Sequence, residues 1–230
     1  MKNYLITGAS SGIGFETASY LANNGDNVLA VARTQPKLEK LKSKNSERIN
    51  IITEDITKQS SVDKITGFLN DKSVKLDGIM NNAGLLINKP FTELTDKDWE
   101  MQLQVNLMGP VKLVRALLPH FNKNAHILNI SSMGGFMGSS KFPGLSAYSV
   151  SKGALSILTE CLAVELADQN INCNCLCFGA VQTEMLEQAF PGLKAPVTAE
   201  EMGMYAGDFL SGGHKFYNGQ VLPVTLADPG

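Results

Sequence analysis

Residues Thr7 to Gly14 read Thr-Gly-Ala-Ser-Ser-Gly-Ile-Gly, between the apolar run Tyr4 to Thr7 and a helix-like stretch with Phe15, Ala18 and Ala22 on one face. A glycine-rich turn in that place lets an anion approach the backbone where no Cβ intervenes. The helix that follows offers it unpaired N–H groups and the positive end of its dipole. Asn24 and Gly25 supply a helix stop before the second apolar run, Asn27 to Ala32, so one βαβ unit is complete by Ala32.

The pattern continues. Short β-branched runs recur at Ile49 to Thr53, Gly78 to Asn81, His126 to Ile130, Ile171 to Cys177 and Gln220 to Val224, with helix-like stretches between them. This predicts an α/β fold, a single-domain Rossmann-like doubly wound parallel sheet of about seven strands with helices on both faces. The 230 residues suit one domain over 1–230, and no repeat, low-complexity tract or Pro/Ser linker divides them. Thr95 and Asp98 form a capping-box pattern opening a segment through Trp99, Leu103 and Leu107, which Pro110 interrupts. Ala147 to Ala167 reads as a helix with Ala154, Leu158, Cys161 and Leu162 on one face.

A formal net charge of -2 gives no basic field, so neither nucleic acid nor an anionic membrane surface is an expected partner. Tyr4, Leu5 and Ile6 form too short an apolar run for a signal or a membrane span, and the expected location is the cytoplasm. Cys173, Cys175 and Cys177 alternate toward one face of a strand, where small buried hydrophobes are expected. His120, His126 and His214 stand outside the motifs and suit structural or solvent-facing roles; no metal site is expected.

At the tip of the second strand, where an NAD enzyme usually places a carboxylate for the ribose hydroxyls, stand Ala32 and Arg33. A guanidinium suits a 2′-phosphate, which points to NADPH or NADP rather than NAD. Asp55, after the third strand, is either an acceptor for the adenine amino group or a turn former.

The Thr7 to Gly14 loop, Asp77, Asn81, Asn82, Ala83, Gly84, Asn106, Ser132, Tyr148, Lys152, Gly179, Val181 and Thr183 run in an order that resembles the short-chain dehydrogenase/reductase family over nearly the whole chain. That resemblance implies an NAD(P)-dependent oxidoreductase moving a hydride to or from carbon. Hydride addition to a carbonyl builds charge on oxygen, so donors and an acid are needed there. Tyr148 is the expected acid. Lys152, one helical turn on, supplies a positive charge that lowers the phenol pKa. Ser132 or its neighbour Ser131 would donate to the oxyanion; Gly135, a few residues on, matches the family pattern for Ser132. Pro110 has no N–H to give the Asn106 carbonyl, and the resemblance gives Asn106 a water-holding task in a relay through Lys152.

The resemblance further implies cofactor contacts from Gly8, Ser10, Ser11, Gly12, Ile13, Gly14, Arg33, Asp55, Ile56, Asn82, Ala83, Gly84, Tyr148, Lys152, Gly179, Val181 and Thr183. Phe178 departs from the family's usual proline. Met185, Leu186, Phe190 and Leu193 mark a substrate loop at about 184–198, apolar enough for a hydrophobic substrate. An aldehyde, ketone or 3-oxoacyl group is the expected substrate. NAD-dependent oxidation of a secondary alcohol or sugar, and a non-catalytic sensor, are the alternatives. Packing of the two long helices against their copies implies a homodimer or homotetramer.

Overall fold

The computed structural model describes residues 1–226. In chain order the elements are β1 (Asn3–Thr7), α1 (Gly12–Asn23), β2 (Asn27–Ala32), α2 (Gln35–Lys42), β3 (Ile49–Thr53), α3 (Gln59–Asp71) and β4 (Leu76–Asn81). There follow α4 (Asp96–Leu103), α5 (Gly109–Leu117), β5 (Phe121–Ser132), α6 (Ser146–Glu165) and β6 (Asn172–Phe178). The chain closes with β7 (Val181–Gln182), α7 (Glu184–Ala189), β8 (Val197–Thr198), α8 (Ala199–Gly212) and β9 (Val221–Val224).

Seven strands form one parallel sheet in the order β3-β2-β1-β4-β5-β6-β9, while β7 and β8 make a separate two-residue ladder. Apolar side chains on both faces of each strand explain why both faces must be covered. On one side α1, α2 and α8 pack through Ala18, Leu21, Leu38, Leu41, Met202 and Leu210. On the other, α3 and α5 pack through Val62, Ile65, Leu69, Leu113 and Leu117. Fully burying each Leu or Ile contributes about 1.5–3 kcal/mol. Asp77 fastens the near ends of three strands by accepting the Asn3 N–H (2.7 Å) and the Asn122 amide (3.0 Å).

The chain winds outward from β1 to β3, then returns to place β4 on the other side of β1. The loops leaving the carboxyl ends of β1 and β4 therefore part there, opening the crevice in which open α/β sheets hold ligands.

Two local features refine the sequence reading. The Thr95/Asp98 capping box forms at the start of α4, but the helix passes into a π turn at Gln104–Met108, where the Gly109 N–H reaches the Gln104 carbonyl five residues back. Such turns occur where the regular ladder is interrupted, and Pro110 lies directly after this one. In α6 the buried face is not the apolar stripe of Ala154, Leu158 and Cys161. It carries Tyr148, Ser151, Lys152, Leu155, Ser156, Thr159 and Ala163, while Cys161 is exposed. The helix turns its polar residues inward because each finds a partner beneath it, as follows.

Candidate active site

The glycine turn is shaped by backbone crowding. A Cβ on Gly8 would lie 2.7 Å from the Ala83 Cα, and one on Gly14 would lie 2.4 Å from the Asn82 amide nitrogen and 2.6 Å from the Gly8 carbonyl oxygen. Gly8 also adopts φ +67°, which side chains disfavour. Thr7 locks this turn to the β4 loop: its Oγ1 accepts the N–H groups of Asn82 (3.0 Å) and Ala83 (3.1 Å). The Asn82 side chain donates back to the carbonyls of Thr7 (3.1 Å) and Gly8 (3.3 Å). Asn81 donates to the Asn129 side chain at 2.8 Å, bracing β4 against β5. Ser10, Ser11, Gly12 and Ile13 are half-buried at the start of α1, whose first turn carries no acidic side chain.

Thr183 brings the far segment over this turn, with its methyl 3.2 Å from where a Gly12 Cβ would stand, and its hydroxyl caps α7 by accepting the Leu186 N–H. Val181 is buried, and Gly179 lies so close to Thr225 that a Cβ would sit 2.5 Å from its Oγ1. Phe178 ends β6 opposite Val224, buried in the core.

Arg33 is exposed beyond the tip of β2. Asp55 forms a local turn, its Oδ1 accepting the Thr57 N–H (3.0 Å) and hydroxyl (2.8 Å). Burial opposes its charge, but these bonds together with Arg33 and Lys58 outweigh it and hold the carboxyl below its usual range. The turn-forming role is therefore present. The Ile56 side chain is buried against Gly109 at the start of α5.

At the carboxyl end of β5, the two serines diverge as strand alternation requires. Ser131 is buried and donates to the Lys152 carbonyl at 2.9 Å, which fixes α6 on the sheet. Ser132 is half-buried, accepts the Gly134 N–H at 3.2 Å and is near enough to the Tyr148 phenol to oppose the rise in its pKa. Tyr148 and Lys152 face the same space from successive turns of α6, with the Lys152 Nζ 5.9 Å from the phenol ring centre. That amine donates to the Ile130 carbonyl at 2.7 Å. A point one Cβ out from Gly84 lies 3.6 Å from both the Lys152 Nζ and the Asn106 Oδ1.

The electrostatics differ from the simple expectation that Lys152 lowers the phenol pKa. Burial pushes Tyr148 up to about 12, with the Ser132 hydroxyl acting against it. Burial likewise draws Lys152 down to about 8, with Cys175 and Cys177 acting the other way. Desolvation dominates both groups because each is buried, and the ammonium is spent on a backbone carbonyl.

Asn106 has a role that sequence reasoning did not foresee. Its side chain accepts the Leu85 N–H (2.7 Å) and donates to the Leu85 carbonyl and the Ser151 hydroxyl, both at 2.9 Å. It thus joins the β4 loop to α6 immediately beside Lys152. In the sequence, its place before a helix-breaking proline and in the family's motif order marked Asn106, but neither showed this bracing contact. The three strand cysteines are buried as small hydrophobes, and Ser156 bridges Cys175 and Cys177 at 3.8 and 3.9 Å. His126 is buried far from this cluster, bonded to Leu210 and Asn174. No helix among the described residues is long and apolar enough to cross a membrane.

Comparison with known proteins bears on the family and the fold. The family described as short chain dehydrogenase matches residues 2–194. A fatty acyl-CoA reductase of Acinetobacter baylyi is 37% identical over 192 residues, 80% of this chain and 64% of that protein, so the match spans less than two thirds of that relative's length. An oxidoreductase of Botryotinia fuckeliana is 32% identical over 99% of this chain and 82% of its own. A solved 3-ketoacyl-(acyl-carrier-protein) reductase from Brucella melitensis, complexed with NADH, superposes with TM-score 0.88 at 26% identity, covering 97% of this chain and 96% of that one.

Proposed function

We propose that this chain, which belongs to the short-chain dehydrogenase family, reduces an aldehyde, ketone or 3-oxoacyl carbonyl with NADPH. The observation that carries the reading is the meeting of Ser132, Tyr148, Lys152 and Asn106 at the carboxyl end of the sheet, beside the glycine turn. As a member of that family the chain is an NAD(P)-dependent oxidoreductase.

The residues present fit a dinucleotide: Gly8 and Gly14 let the turn close against Asn82 and Ala83 where a Cβ would collide, and the turn leads into the α1 N-terminus, whose unpaired N–H groups suit a pyrophosphate. Gly8, Ser10, Ser11, Gly12, Ile13 and Gly14 would hold the pyrophosphate, and Arg33 the 2′-phosphate. Asp55, the Ile56 backbone, Asn82, Ala83 and Gly84 would line the adenosine half. Gly179, Val181, Thr183 and Lys152 would hold the nicotinamide half. When bound, the dihydronicotinamide supplies the hydride. Ser132 donates to the carbonyl oxygen as charge gathers there, and Tyr148 gives that oxygen its proton. Asn106 holds the β4 loop in register with Lys152.

The solved relative that holds NADH makes cofactor choice the first experiment. Kd and kcat/KM for NADPH and NADH are measured in wild type and Arg33→Asp. The reading expects at least tenfold preference for NADPH, abolished or reversed in the variant; an unchanged preference overturns the 2′-phosphate assignment. The substrate loop at 184–198, in which α7 replaces an open loop, is the proposed cover of the carbonyl site. A homodimer or homotetramer is the proposed assembly, supported by the exposed stripe Val150, Ile157 and Val164, seven residues apart along α6.

A further inference from the structure

We infer that Lys37 and Glu184 are positioning residues for the cofactor: their ion pair is a clasp that fastens the first turn of α7 across the crevice and sets how fast a dinucleotide enters and leaves. The inference rests on the dinucleotide reading above. The sheet order decides what the pair spans. Lys37 stands in the first turn of α2, directly after β2, while Glu184 opens α7, which the chain reaches only after β6. Between β2 and β6 lie β1, β4 and β5, so a contact between those two helices crosses the carboxyl ends of the strands, where the glycine turn lies. The Lys37 Nζ meets the Glu184 carboxylate there at 2.6 Å.

The residues on either side of Glu184 fix the place of that crossing. Thr183 puts its methyl 3.2 Å from the Cβ position of Gly12, at the start of α1. The Met185 methyl lies 3.7 Å from the Cβ position of Gly84, a point 3.6 Å from the Lys152 amine. Three successive residues therefore touch the segments that follow β1, β2 and β4, as side chains about 100° apart around one helical turn can do. A dinucleotide lying from the glycine turn to Lys152 passes beneath them, and this turn has to lift for it to pass. The far end of α7 is held separately, by the Asn88 amide on the Ala189 carbonyl (2.9 Å). Parting Lys37 from Glu184 thus frees the near turn and leaves the helix anchored. With 43% and 58% of the two side chains exposed, the pair is weak enough to open on each exchange.

Stopped-flow fluorescence with NADPH, repeated with NADH, measures the association and dissociation rates in wild type, Lys37→Gln, Glu184→Gln and the double variant. An exposed ion pair shifts an equilibrium by about two- to fivefold. Because the clasp closes the crevice whether it is filled or not, both rates are expected to rise by that factor in each single variant, with Kd changed less than twofold. The double variant is expected to be no faster than either single one, since the pair is already gone, and Lys37→Arg, which keeps the pair, to match wild type. A lysine that bound the phosphate directly would give opposite effects, Lys37→Gln loosening the cofactor and Glu184→Gln tightening it. That pattern, additive acceleration in the double variant, or unchanged rates in both single variants overturns the clasp and leaves the cofactor reading standing. Wild type that binds neither dinucleotide defeats the cofactor reading and the clasp with it.

Discussion

His126 should make the fold acid-sensitive by a calculable amount. Its ring is fully buried between β5, β6 and α8, with Nδ1 against the Leu210 carbonyl (3.0 Å) and Nε2 against the Asn174 amide (3.0 Å). A carbonyl only accepts and the amide nitrogen donates, so Nδ1 carries the proton and the ring is neutral. Burial pulls its pKa from 6.5 down to about 4, with His214 and Lys2 adding to the effect and the Leu210 bond opposing it. Above pH 6.5 neither folded nor unfolded chain holds this proton, and the stability is complete. Between 6.5 and about 4 the unfolded histidine is protonated while the buried one refuses, so stability falls as pH falls. At 1.36 kcal/mol per unit, the 2.5-unit difference amounts to about 3 kcal/mol. Urea unfolding at several pH values from 7.5 to 4, in wild type and His126→Gln, isolates this contribution because the carboxylates titrate in both proteins. The variant should be less stable at pH 7 but lose about 3 kcal/mol less on acidification; parallel curves would refute the buried neutral ring.

Gly14→Ala forces a methyl to within 2.4 Å of the Asn82 amide nitrogen, a crowding that costs about 1–3 kcal/mol and displaces the bonds holding the turn. NADPH binding, followed by titration calorimetry, should weaken at least tenfold; a Kd within twofold of wild type would contradict the proposed pyrophosphate cradle. Ile157 is 54% exposed, so Ile157→Glu should leave monomer stability within about 0.5 kcal/mol and yet lower the mass seen by sedimentation. A monomeric wild type would contradict the assembly.

What could be read from the chain beforehand divides along physical lines. Strands were legible because apolar β-branched runs and glycine stops are local signals; Asn27–Ala32 and Ile49–Thr53 fall where the sequence placed them. The Thr95/Asp98 cap and the glycine turn were legible for the same reason. The buried face of α6 was not, because polar residues go inward only when partners from other strands meet them: Lys152 finds the Ile130 carbonyl and Thr159 takes the Asn129 amide. The π turn at Gln104–Met108 and the grip of Asn106 on Leu85 likewise depend on elements distant in sequence. The sign of the Tyr148 shift escaped for a related reason, since spacing reveals a neighbouring charge but not how deeply both groups are desolvated.

The direct measurement is single-turnover hydride transfer, followed by NADPH absorbance after mixing preformed complex with octanal, in wild type and Tyr148→Phe. Removing one hydroxyl should slow the step by about 10²–10⁴-fold while NADPH affinity changes less than twofold. Equal rates in the two proteins would show that the proton comes from elsewhere and that Tyr148 is not the acid.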